Sequence, residues 1–77
     1  MNYLKQYADQ VATISNDMKA GNISMEEGAE KLLVVAERAE QSSVLVTGAV
    51  YSDLLNEMAA KIYAVVDKMI PEHRIIQ

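Results

Sequence analysis

The stretch MKAGNISMEE, residues 18–27, decides the fold, because it ends one helix and begins another within a few residues. Gly21 can adopt the left-handed backbone conformation that ends helices without a side-chain clash. Ser24 is a preferred N-cap residue, and Glu27, three residues later, completes the sequence pattern of a capping box. The stretch therefore predicts a helical hairpin, with Gly21, Ser24 and Glu27 as its structural turn.

Apolar residues on both sides of the turn recur at spacings of three and four residues, which is typical of helices with one buried side. The spacing predicts one helix over about residues 2–20 and a second over about residues 24–41. The apolar positions are Leu4, Tyr7, Val11, Ile14 and Met18, then Met25, Ala29, Leu32, Ala36 and Ala39. So short a turn makes the two helices antiparallel neighbours.

A third and longer apolar series predicts a helix over about residues 43–70. Its positions are Tyr51, Leu55, Met58, Ile62, Val65 and Met69, widened by Leu54 and Val66. Pro71 sets the end of this helix, because the residue before a proline is disfavoured in the helical conformation. The predicted fold class is all-α: an antiparallel helical hairpin plus a longer C-terminal helix in a three-helix bundle. We expect a single domain, residues 1–77, with a short tail at 71–77.

The start of the third helix is the least defined part of the chain. Residues 44–51, VLVTGAVY, are rich in branched side chains and taken alone are typical of a β-strand. The sequence offers no second strand to pair with them, so a helix is favoured over a buried extended loop. The helix begins either at a Ser42 or Ser43 cap or later, at Thr47 or Ser52. As a helix, the segment would be apolar nearly all round and would need burial on every side.

The size and composition of the chain favour self-association. A chain of 77 residues buries only about 60 % of its unfolded surface, and it has no cysteine to add a disulfide. Its hydrophobic content is 51 %, so oligomerisation is the remaining way to stabilise the fold. The predicted interface comprises Val44, Leu45, Val50, Tyr51, Leu54, Leu55, Met58, Ile62, Ile75 and Ile76. The last two belong to the tail, which docks either on the body of the protein or on a partner.

Charge and hydropathy narrow the possible partners. The net charge is -4, and the basic residues are scattered along the chain, so duplex nucleic acid would be repelled. The longest uncharged stretch, residues 41–52, is shorter than the roughly 20 apolar residues needed to span a bilayer. Residues 1–7 lack the pattern of a signal peptide. We therefore expect a cytoplasmic protein without nucleic-acid or membrane partners.

The turn around Gly21 also has some features of a calcium-binding EF-hand loop. Gly21, Ile23 and Glu27 fit the glycine, apolar and glutamate positions of that pattern. Two of the ligand positions, however, fall on Met18 and Ala20, which have no hard oxygen to offer. The sequence therefore predicts a capped turn and not a calcium site.

The same turn resembles the G-x-I-[ST]-x-E-E junction of short bacterial helical-hairpin oligomerisation domains of the SHOCT type. The matching residues are Gly21, Ile23, Ser24, Glu26 and Glu27. Gly28 stands where those domains usually carry a bulky aromatic residue. Because the resemblance covers only about a third of the chain, no activity or partner is carried over from it.

The sequence contains no recognisable set of catalytic residues. General acid–base chemistry needs a carboxylate pair in an apolar pocket or a positioned histidine. The helical spacing instead predicts a solvent-exposed acidic face, formed by Glu26, Glu27, Glu30, Glu37 and Glu40. His73, the single histidine, has no second histidine or cysteine with which to complete a zinc site. We expect no metal, no cofactor and no enzymatic activity.

Taken together, these features predict a small protein that self-associates and acts by protein–protein interaction. It would serve as an adaptor or a stoichiometric inhibitor, of the sort that phages and other mobile elements encode. One alternative is a helix-turn-helix DNA-binding regulator, although its second helix would then present several carboxylates to phosphates. Another is a purely structural oligomerisation domain. The identity of the protein partner and the order of the oligomer stay open.

Overall fold

The computed structural model describes residues 2–69 and contains three helices over that range. They are α1 (Tyr3–Lys19), α2 (Met25–Ser43) and α3 (Ala49–Met69), and residues 2–69 contain no β-strand. The predicted all-α class and the helical hairpin are therefore confirmed. The predicted tail, 71–77, lies outside the described residues.

The turn between α1 and α2 has part of the predicted capping. Gly21 has a φ of +79°, in the left-handed region, and the Ser24 hydroxyl accepts a 3.1 Å hydrogen bond from the Glu27 backbone N–H. Among residues 2–69, the side chain of Glu27 makes no reciprocal bond to the Ser24 backbone, so the capping box is half formed. Asn2 caps α1 in the same way, through a 3.0 Å bond from the Lys5 N–H.

Helix α3 begins at Ala49, so the prediction of a helix from about residue 43 is wrong for residues 44–48. These residues form a turn that is mostly exposed to solvent: Val44 is 81 % exposed and Leu45 is 71 % exposed, while Val46 is half-buried against the core. Ser42 and Ser43 are the last residues of α2 and do not cap α3. Branched residues are weak helix formers, and Gly48 has a φ of +110°, which interrupts the helical backbone.

Helix α2 is the central element of the bundle. It packs against both other helices, most extensively against α3, while α1 and α3 make sparse contact with each other. The buried apolar residues are Tyr7, Ile14, Ala29, Leu32, Val35, Ala36, Ala39, Leu55, Ala59, Ile62 and Val66. Met25, predicted among them, is instead exposed. The alanines of α2 allow close approach of its neighbours.

A close contact also joins α1 and α2 near the turn. Gly28 of α2 is buried, and a Cβ atom placed on it would overlap the Met18 side chain of α1. The glycine therefore permits a close helix crossing. At the other end of the hairpin, the buried hydroxyl groups of Tyr7 and Ser42 lie 2.6 Å apart in a hydrogen bond.

The bundle is flattened, extending 37 × 29 × 13 Å along its principal axes. Near the N-terminal ends of α1 and α3, the Tyr51 hydroxyl accepts a 3.4 Å bond from the Leu4 N–H and donates a 3.2 Å bond to Asn2 Oδ1. Because contact between α1 and α3 is otherwise sparse, a groove opens between these helices on one broad face.

Candidate interaction surface

The groove between α1 and α3, named here the α1/α3 groove, is a concave surface on one broad face of the bundle. Its volume is about 500 Å³, and Leu32 of α2 lies at its base. The residues that line it are Leu4, Ala8, Val11 and Ser15 of α1, Leu32, and Leu54, Glu57, Met58, Lys61, Ile62 and Val65 of α3. Only Ser15, Glu57 and Lys61 in this set have polar side chains, so the groove is suited to bind an apolar surface.

Helix α3 has two apolar stripes. The first consists of Leu55, Ala59, Ile62 and Val66 and is buried against the rest of the chain. The second, named here the outer stripe, consists of Val50, Leu54, Met58 and Val65, and the charged Lys61 lies between Met58 and Val65 at the same helical spacing. In the outer stripe Val50, Leu54 and Val65 are exposed, and Met58 is half-buried.

The predicted interface residues fall into three groups. Val44, Leu45 and Val50 are exposed, and Leu54 and Met58 lie in the wall of the α1/α3 groove. The remaining described residues serve the chain's own fold: Tyr51 bonds to the start of α1, while Leu55 and Ile62 are buried in the core. Ile75 and Ile76 lie outside the described residues. The structure therefore brings Leu54, Met58 and the buried Ile62 of the predicted set together in the groove, with Val50 on the same side of α3.

The α1 wall of the groove was not anticipated from the sequence. Leu4 and Val11 belong to the predicted apolar face of α1, but that pattern does not distinguish packing against α2 from lining an open groove. Val65 was predicted as a core position of α3 and is 49 % exposed. The spacing of Leu54, Met58 and Val65 would have identified a second apolar stripe.

A second, more polar depression lies between α1 and α2. It has a volume of about 410 Å³ and includes Asp9, Lys31 and Arg38 around Val34. Asp9 also forms an exposed ion pair of 3.1 Å with Lys5. Such exposed pairs contribute little free energy, and the charged rim makes this depression less suited to an apolar partner than the α1/α3 groove.

The ionisable residues within residues 2–69 form no cluster that could hold a metal ion. No group of three or more carboxylate, histidine or cysteine side chains converges there. The acidic residues of α2, from Glu26 to Glu40, are exposed as their spacing predicts. Tyr63 donates a 2.7 Å hydrogen bond to the Glu40 carboxylate, and this bond together with burial raises the pKa of Tyr63 to about 12.

Comparison with known families, with curated proteins and with solved structures finds no match to this chain. None of the helices over residues 2–69 is long and apolar enough to cross a bilayer. Of the two depressions described, the α1/α3 groove is the more apolar.

Proposed function

We propose that this chain is a non-enzymatic protein-interaction module that self-associates through the α1/α3 groove and the outer stripe of α3. One observation carries the proposal: α3 keeps a second, largely exposed apolar stripe after its first stripe has been buried in the core. Contiguous apolar surface of this kind on a small domain is typical of interaction sites.

The shape of the bundle supports the same function. The bundle is only 13 Å thick along its shortest axis and has an open groove on one broad face. When a second copy covers that face, the groove residues of both copies become buried between the two layers. Burial of apolar surface between layers stabilises by about 25 cal/mol for each Å² removed from water. The chain has no cysteine, which fits a reducing compartment such as the cytoplasm, where a disulfide could not supply this stabilisation.

Two matched valine variants test the proposal. Val65 in the outer stripe is 49 % exposed, and Val34 beside the second depression is 43 % exposed. We expect Val65→Asp to convert the oligomer to a monomer of 8.5 kDa, because a buried unpaired carboxylate opposes association. Val34→Asp should keep the wild-type mass. The masses are measured by light scattering after gel filtration, with circular dichroism to verify that both variants are folded.

The same pair of variants tests whether another protein uses this surface. A specific partner recovered with the wild-type chain should be recovered with Val34→Asp and lost with Val65→Asp. A wild-type chain that is monomeric at micromolar concentration, or equal effects of the two substitutions, would contradict the proposal.

A further inference from the structure

Two charged residues on the groove side of α3 form a charge pattern that is complementary to itself. Glu57 and Lys61 both line the α1/α3 groove, are both exposed, and lie four residues apart on one side of the helix. The described part of the chain shows no ion pair between them, since its ion pair is Lys5 with Asp9. Glu57 and Lys61 lie at equal distances on either side of one point along the axis of α3, and both charges remain available to a partner.

That point lies at the level of Ala59. Glu57 is two residues before it and Lys61 two residues after it, while Leu54 and Val65 lie at nearly equal distances on either side. A two-fold axis at this level, perpendicular to α3, would make the α3 helices of the two copies antiparallel and place each Glu57 opposite a Lys61. It would also place each Leu54 near a Val65, so that apolar residues meet apolar residues.

We infer that the occupant of the α1/α3 groove is the α3 helix of a second copy of this chain, packed antiparallel across a two-fold axis at the level of Ala59 along the helix. This inference rests on the proposed function and adds the partner and its orientation. Each α3 lies in the groove of the other copy, and two reciprocal Glu57–Lys61 ion pairs flank the contact. Leu54, Met58 and Val65 supply the apolar centre of the interface.

A parallel arrangement of the two α3 helices does not have this complementarity. In a parallel pair with matched register, Glu57 faces Glu57 and Lys61 faces Lys61, and both contacts are repulsive. The charges therefore select the antiparallel orientation, and the flattened bundle leaves the broad face open for it. Two such layers enclose the apolar groove residues of both copies.

Charge-reversal variants test the reciprocal pairing. In Glu57→Lys both interfacial pairs become Lys–Lys, and in Lys61→Glu both become Glu–Glu. We expect each variant alone to dimerise about tenfold more weakly than wild type at low salt. In an equimolar mixture, the heterodimer regains two attractive pairs, so its affinity should return to near the wild-type value. The dissociation constants are measured by sedimentation equilibrium, and added salt should reduce all the differences.

Two further variants control for net charge. Glu30→Lys and Lys31→Glu change the charge of the exposed α2 surface by the same amounts and should dimerise as wild type does. Recovery of affinity in the mixture is a readout that a loss of helix stability in either variant does not reproduce, because mixing restores no bond within a chain.

The outcomes separate this inference from the proposed function. A wild-type dimer that is unaffected by Glu57→Lys and Lys61→Glu, or a mixture that stays as weak as its components, overturns the antiparallel α3 contact and leaves self-association standing. A wild-type monomer overturns both. In that case the occupant of the groove is not a second copy but either residues 70–77 of the same chain or a different protein.

Discussion

At the scale of single residues, two buried hydroxyl groups hold the open end of the hairpin together. Tyr7 and Ser42 are both buried, and their 2.6 Å bond joins the start of α1 to the end of α2. The apolar spacing of α1 predicts that Tyr7 faces the core, but spacing identifies a face and not a hydrogen-bond partner. Ser42, interpreted from the sequence as a helix cap, has this partner because α2 continues to Ser43.

We predict that Tyr7→Phe and Ser42→Ala each lower the free energy of unfolding by about 1 kcal/mol, because each leaves the other hydroxyl buried without a partner. The double variant should lose less than the sum of the two, since it leaves no orphaned group. Urea denaturation measures all three variants. Tyr3→Phe, which changes a tyrosine outside this bond, serves as the control, and strictly additive losses would contradict the coupling.

Tyr63 gives the chain a pH-sensitive contact between α2 and α3. Its hydrogen bond to Glu40 needs the protonated phenol, and the pKa is raised from 10.0 to about 12. The bond therefore contributes fully to stability below pH 10 and is lost as the pH rises towards 12. In an absorbance titration, Glu40→Gln should lower the pKa of Tyr63 towards 10. An unchanged tyrosine titration in this variant would show that the Glu40 carboxylate does not raise the pKa of Tyr63.

At the scale of the helices, the sequence predicts the ends of α1 and α2 to within two residues, because caps and apolar spacing agree in this part of the chain. The start of α3 could not be predicted in the same way, since apolar spacing continues backwards from Tyr51 to Gly48 and Val44 without interruption. The backbone of Gly48, with a φ of +110°, ends that continuity, and backbone angles are not visible in a pattern of apolar residues.

The crossing of α1 and α2 depends on the absence of a side chain at Gly28. In a helix, alanine is favoured over glycine by about 1 kcal/mol, but here its Cβ would displace Met18. We predict that Gly28→Ala stabilises the Met18→Ala variant, and that the same change is less favourable in wild type by about 1 kcal/mol. Thermal or urea unfolding of wild type, the two single variants and the double variant measures this difference. Equal effects in both backgrounds would mean that the two residues are not in contact.

At the scale of the whole molecule, the three-helix bundle is predictable from the sequence and the groove is not. Apolar spacing shows that α3 carries more apolar residues than packing against one neighbouring helix needs. It does not show which of those residues face the core. The buried stripe runs through Leu55, Ala59 and Val66, so Val65, and not Val66, is left exposed. The sequence predicts more apolar surface than one small core can bury. That excess is present, and most of it lies along α3 and in the 44–48 turn.

The mass of the wild-type chain in solution tests the central claim most directly. Sedimentation equilibrium over a range of micromolar concentrations should give twice the chain mass of 8.5 kDa, with a shift towards the monomer on dilution. A mass that stays at 8.5 kDa at every concentration would contradict the claim that the α1/α3 groove and the outer stripe of α3 join two copies of this protein.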